Sequence, residues 1–136
     1  MIQVIMGLKG SGKTKKLIDS INETLATATG DVVCIEYGNK LTYDVNYRVR
    51  LVNAKEYEID NLDKLKGLLS GLHAGNFDIT NVYIDNLYKT IGSNREIGEE
   101  FIAWCAEFAR ANNMNITVTV SDDPAQASEF VKAYLI

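Results

Sequence analysis

Residues Ile2 to Thr14 read IQVIMGLKGSGKT, an apolar run that meets Gly7, Gly10 and Gly12 and then Lys13 and Thr14. Glycine loses more backbone freedom on ordering than any other residue, so glycines crowded into one turn need a physical reason. A backbone that bends sharply and comes close to a bound group supplies one. Upstream, Ile2–Met6 predicts a short buried strand. Downstream, Leu17, Ile18, Ile21 and Leu25 recur at helical spacing and leave Lys15, Lys16, Asp19 and Glu23 outside. The spacing predicts an amphipathic helix from Lys13 to about Ala28. A strand, a glycine-rich turn and a helix in that order set the expectation for the rest of the chain.

Gly30-Asp31 turns the chain into VVCIEY (Val32–Tyr37), a second buried strand, and GNKLTYDVNY (Gly38–Tyr47) reads as loop. RVRLVN (Arg48–Asn53) alternates charged and apolar residues, as an edge strand does. Leu62, Leu65, Leu69 and Leu72 predict a helix ended by Gly75 and Asn76. VYID (Val82–Asp85) is a further strand. Ile97, Phe101, Ile102, Cys105 and Phe108 share one face of a helix running to about Ala111. NITVTVS (Asn115–Ser121) is the last strand, after which Ser121 and Asp122 can cap a helix with Pro124 in its first turn. Strands alternating with helices predict an α/β fold: a three-layer α/β/α arrangement around a mainly parallel sheet of about five strands.

The composition narrows the function. At 136 residues, one domain spanning 1–136 is expected. A net charge of −4 gives no support to a nucleic-acid-coating role. Cys34 and Cys105 lie far apart in apolar segments and read as buried core thiols, and His73 is the only histidine, so a multi-histidine metal site is excluded. No apolar run approaches the roughly 20 residues a membrane helix needs, and Met1 leads directly into a strand with no signal-like segment. A cytoplasmic protein is the expectation.

Gly7-Leu8-Lys9-Gly10-Ser11-Gly12-Lys13-Thr14 matches G-x-x-x-x-G-K-[ST] at every fixed position. Glycines let successive N–H groups curl around a phosphate. The helix that starts there points unpaired N–H groups and its positive dipole end at the same anion. In this chemistry Lys13 reaches the β- and γ-phosphates and the Thr14 hydroxyl ligates Mg²⁺. The stretch resembles the Walker A signature of P-loop nucleoside triphosphatases. That resemblance implies a bound nucleoside triphosphate, and an acidic residue at the end of a hydrophobic strand. Asp85, after Val82, Tyr83 and Ile84, looks like that Walker B aspartate, holding Mg²⁺ through water.

The neighbouring residues bear on which branch is meant. Asn86 stands where many ATPases of the superfamily carry a water-activating glutamate. A guanine-reading N/T-K-x-D motif is absent, which favours ATP over GTP. Glu36 at the end of the second strand, and YIDN at Tyr83–Asn86, resemble RecA-like and KaiC-like ATPases, in which that glutamate is the catalytic base. By the same resemblance Ser121 stands where a γ-phosphate sensor sits. Such ATPases commonly form rings, so a homo-oligomer is implied, with Arg95 and Arg110 as candidate fingers. Tyr37, Tyr43 and Tyr47 could stack an adenine or cover an edge strand. Two other readings stand beside a Mg-dependent ATPase. One is a nucleoside kinase similar to the compact thymidine kinases, though Cys34 and Cys105 cannot build their zinc lasso. The other is a nucleotide-sensing module without turnover.

Overall fold

The apolar runs become strands, and no two of them are joined by a hairpin. In the computed structural model, which describes residues 1–136, β1 (Ile2–Gly7), β2 (Asp31–Glu36), β3 (Arg50–Asn53), β4 (Ile79–Ile84) and β5 (Asn115–Ser121) form one sheet in the order β1-β5-β4-β2-β3. Every pairing is parallel. Parallel neighbours need crossovers: α1 (Lys13–Thr27), α2 (Leu62–Gly75) and α3 (Leu87–Ile91) with α4 (Arg95–Ala111) supply three, residues 37–49 join β2 to β3 without a helix, and α5 (Glu129–Lys132) follows the last strand.

Both faces of the sheet are covered, as a parallel sheet requires. Val4, Val33, Ile35, Val82, Ile84, Ile116 and Val118 pack with residues of α2, α3, α4 and α5. The alternate set, Ile5, Val32, Cys34 and Tyr83, packs under Leu17, Ile21 and Leu25 of α1 and under Leu41, Val45 and Val49 of the β2–β3 connection. The Tyr83 hydroxyl crosses this second layer to share a hydrogen bond of 2.6 Å with Thr24 Oγ1. The expected three-layer α/β/α fold is therefore observed. Cys34 and Cys105 are buried and unpaired, one in each layer of the core.

The crossovers determine where a ligand can sit. From β1 the chain passes to the α1 face, whereas from the adjacent β5 it passes to the opposite face. Two neighbouring strands that send the chain to opposite sides leave a crevice at their carboxyl ends, the place where open α/β sheets bind ligands. On the outer edge of β1, Val4 N–H donates to Tyr134 O (2.9 Å) and Ile136 N–H donates to Val4 O (3.0 Å). These bonds cover an edge that would otherwise present free N–H and C=O groups.

Several expectations need correction. Ile97 is 36 % exposed, so the buried face of α4 is Gly98, Phe101, Ile102, Cys105 and Ala109. After β5 the cap is Asp123, not Ser121 or Asp122: its side chain accepts from Ala125 N–H and starts a 3₁₀ turn at Pro124–Gln126. Ser128 then caps α5. Asp122 is occupied elsewhere. The short helix α3 was not expected, because its five residues are too few to show a period.

Candidate phosphate-binding cleft

Three helices begin with a polar side chain closing the first turn. Asn61 accepts from Lys64 N–H in α2, Asn94 from Ile97 N–H in α4, and Ser128 from Val131 N–H in α5. Helix α1 is different. It starts at Gly12 in the left-handed region (φ 86°) with no side-chain cap, so its first-turn donors remain available. Gly10 is also left-handed (φ 82°). Gly7 is needed for a separate reason, because a Cβ there would collide with Ser11 Oγ. Backbone conformation thus accounts for Gly10 and Gly12, and close packing of Ser11 for Gly7. Lys13 Nζ folds back and donates to Leu8 O at 3.0 Å.

Around this turn lies a cleft of about 460 Å³ at the carboxyl ends of β1, β5 and β4. Lys9, Gly10, Gly12, Lys13 and Thr14 form one wall, and Asp85 and Asn86 form the other, with Thr119 and Ser121 between them. The structure therefore brings the glycine-rich turn, Thr14, Asp85 and Ser121 together. Asp85 follows β4, and its N–H donates to Ile35 O (2.9 Å). Thr119 Oγ1 donates to Asp85 Oδ1 (2.9 Å) and accepts from Asn86 N–H (2.6 Å). One hydroxyl thus fixes both the aspartate and the strained left-handed turn at Asn86 (φ 56°). Alternation along β5 puts Thr119 and Ser121 on the same, α1 side of the sheet, opposite Ile116, Val118 and Val120, so NITVTVS carries the signal for both.

The charge of this cleft is opposite to that of the molecule. Five lysines, at 9, 13, 15, 40 and 89, line it against one carboxylate, Asp85. The Lys89 ammonium is held below the ordinary lysine range, first by its hydrogen-bonding proximity to Lys40 and then by that neighbour's like charge. Asp85 pulls weakly the other way. No group of three or more His, Cys, Asp or Glu side chains is placed to hold a metal by itself. A hard cation that arrives with phosphate oxygens and takes one carboxylate and one hydroxyl from the protein does fit Asp85 and Thr14.

Glu36 lies outside the lysine-rich cleft. It ends β2 and is only 6 % exposed. Its Oε1 accepts from Lys40 N–H (3.0 Å) and its Oε2 from Leu41 N–H (2.9 Å). Both oxygens are spent on the loop that follows, and Glu36 does not line the lysine-rich cleft. Glu36 is at the carboxyl edge of the sheet, as chain order predicts, and its side chain turns to the β2–β3 connection. Tyr37 is half-buried, whereas Tyr43 and Tyr47 are 97 % and 93 % exposed and lie outside the cleft.

The two candidate arginine fingers have partners within the chain. Arg110 pairs with Glu107 (2.7 Å) along α4. Arg95 donates through Nε (2.7 Å) and Nη2 (2.8 Å) to the Asp122 carboxylate, which also accepts from Tyr88 OH (3.1 Å). The Arg95 guanidinium holds the Asp122 carboxyl down at about 2. Burial, with the bond to Asp122, pushes the Tyr88 phenol up to about 12. A carboxylate whose pKa falls on folding stabilises the fold above its unfolded value near 4, and that contribution is lost as pH falls towards 2. Asp122→Asn should therefore flatten the loss of stability between about pH 4 and pH 2, followed by urea unfolding across that range. An unchanged acid limb would mean that the pair contributes nothing.

No protein-family model matches the chain, and no curated protein is significantly similar to it.

Proposed function

We propose that this chain binds a nucleoside triphosphate, ATP with Mg²⁺, in the cleft between the Gly7–Thr14 turn and Asp85. One observation carries the reading: uncapped helix amides, left-handed glycines and five lysines converge on a cleft whose single carboxylate, Asp85, is held by the Thr119 hydroxyl. A polyphosphate uses each of these. The amides and the α1 dipole receive its oxygens. Lys13 would exchange its bond to Leu8 O for a phosphate oxygen, and Thr14 and Asp85 would hold Mg²⁺. When bound, the ion would neutralise phosphate charge and fix the orientation of the chain of phosphates.

Turnover is a second matter. Hydrolysis needs a group that orients and polarises water. Asp85 is the one carboxylate in the cleft and is committed to the ion, and Asn86 offers an amide. Glu36 is engaged with its own loop. These positions favour a nucleotide-binding module with slow turnover over an ATPase that works alone. A single-turnover assay tests this. Phosphate release at ATPase-like rates without a partner would overturn it, and transfer to an added nucleoside would establish the kinase reading.

Asp85→Asn separates ion from nucleotide. It should weaken binding of Mg–ATP by roughly tenfold, the scale of a lost supporting carboxylate, while ATP in EDTA binds as before or better. Calorimetric titrations with and without Mg²⁺ measure both. Equal losses in the two would make Asp85 a structural residue of the β4 end.

A further inference from the structure

Lys40 and Lys89 are not accounted for by the glycine-rich turn. Lys40 belongs to the connection after β2 and Lys89 to α3 after β4, so they come from two adjacent strands on the far side of the cleft. Both are exposed, as is Lys9. None of the three has a carboxylate within ion-pairing distance, since the ion pairs of the chain are Lys15–Asp19, Lys64–Asp60, Arg95–Asp122, Arg110–Glu107 and Lys132–Glu129. Yet Lys40 and Lys89 line the same cleft, and Lys9 from the turn adds a third like charge to it. Ammonium groups have donors and no acceptor. Three of them converging on one polar space have unmet donors in common, and an anion between them would satisfy all three.

Long exposed lysines would ordinarily spread apart into water. Here one of them is anchored from beneath. The N–H of Lys40 is held by Glu36 Oε1 and the next N–H by Oε2, and the Leu41 side chain is 2 % exposed beneath them. The backbone that carries Lys40 is therefore fixed at the cleft rim, and Glu36 acts through it as a positioning residue. Lys89 is fixed by the short helix whose flanking Leu87 and Ile91 are buried.

We propose that Lys40 and Lys89 form a cationic jaw opposite the glycine-rich turn that grips the terminal phosphate, so that the site distinguishes a nucleoside triphosphate from the diphosphate. The proposal rests on the nucleotide reading above and extends it. The turn and Lys13 occupy the β1 end of the cleft. A phosphate chain running from there over Thr119 and Ser121 towards β4 brings its last phosphate to the jaw. A diphosphate stops short of it.

The test uses the full chain and three probes with Mg²⁺: ATP, ADP and inorganic tripolyphosphate, titrated calorimetrically. The Lys40→Met, Lys89→Met double variant should lose at least about tenfold in ATP affinity, the worth of charge-assisted bonds. ADP affinity should stay within about threefold, and tripolyphosphate should fall with ATP. A Lys55→Met, Lys132→Met double variant, the same loss of two charges outside the cleft, controls for net charge and should alter none of the three. Equal losses for ATP and ADP, or no loss for either, would overturn the jaw. So would a loss for ATP with tripolyphosphate unaffected, because the lysines would then serve the nucleoside. A wild-type chain that binds none of the probes would overturn the nucleotide reading itself. Tight wild-type binding with an unchanged ATP-to-ADP ratio in the variant would overturn only the jaw.

Discussion

Replacing Lys13 by alanine is expected to abolish most of the thermal stabilisation that Mg–ATP gives the wild-type chain. A ligand that binds only the native state stabilises it by mass action, about 2.7 kcal/mol at a hundred times Kd. For a domain of this size that is roughly 10 °C in Tm. In the proposed site Lys13 is the side chain that would reach the β- and γ-phosphates, and its present partner is a single carbonyl, Leu8 O at 3.0 Å. Losing that bond costs the ligand-free protein little, because Lys13 is not part of the core. The melting temperature of the apo variant should therefore match wild type while the nucleotide-induced rise disappears. Differential scanning fluorimetry with ATP, GTP and ADP checks both halves. A wild-type chain whose melting temperature no nucleoside triphosphate moves would end the phosphate-cradle reading.

The fold was legible because its signals are local and redundant. Ile2–Gly7, Asp31–Glu36 and Asn115–Ser121 are apolar runs of strand length, and Leu17, Ile21 and Leu25 recur at helical spacing. The glycine-rich turn was legible for a different reason: its residue types are dictated by backbone geometry, and that geometry is observed at Gly10 and Gly12, with Ser11 packed close against Gly7. Asp85 could be placed because a strand end fixes its position along the chain. What could not be read depends on where a side chain turns or on which distant residues meet. Lys40 and Lys89 share a rim only because β2 and β4 are neighbours in the sheet, which no spacing in the chain expresses. Thr119 binds Asp85 across the β4–β5 pairing, so its role depends on register. Asp122 reads as a cap because Pro124 follows two residues on, but Arg95 and Tyr88 claim it through the tertiary fold.

Glu36 is where these two kinds of knowledge part, and a single substitution decides between its two roles. Chain order brings it to the carboxyl edge of the sheet, as a general base would need. The geometry instead gives its two oxygens to the N–H groups of Lys40 and Leu41 in a buried setting. Glu36→Gln keeps the size of the side chain but turns one acceptor into a donor that faces an N–H. One charge-assisted bond is lost and a second buried donor is left unmet, at a cost of about 2–3 kcal/mol. The expected outcome is therefore a lower urea midpoint with the same slope. It should also bring a smaller ATP-to-ADP affinity ratio, because the loop that presents Lys40 is loosened. Combining Glu36→Gln with Lys40→Met should add little further loss of that ratio, since residues acting through one group are not additive. A base would behave in the opposite way: stability and affinity would stay at wild-type values, and hydrolysis alone would fall at least roughly a hundredfold. That second pattern would return Glu36 to the catalytic role and withdraw the positioning role assigned to it here.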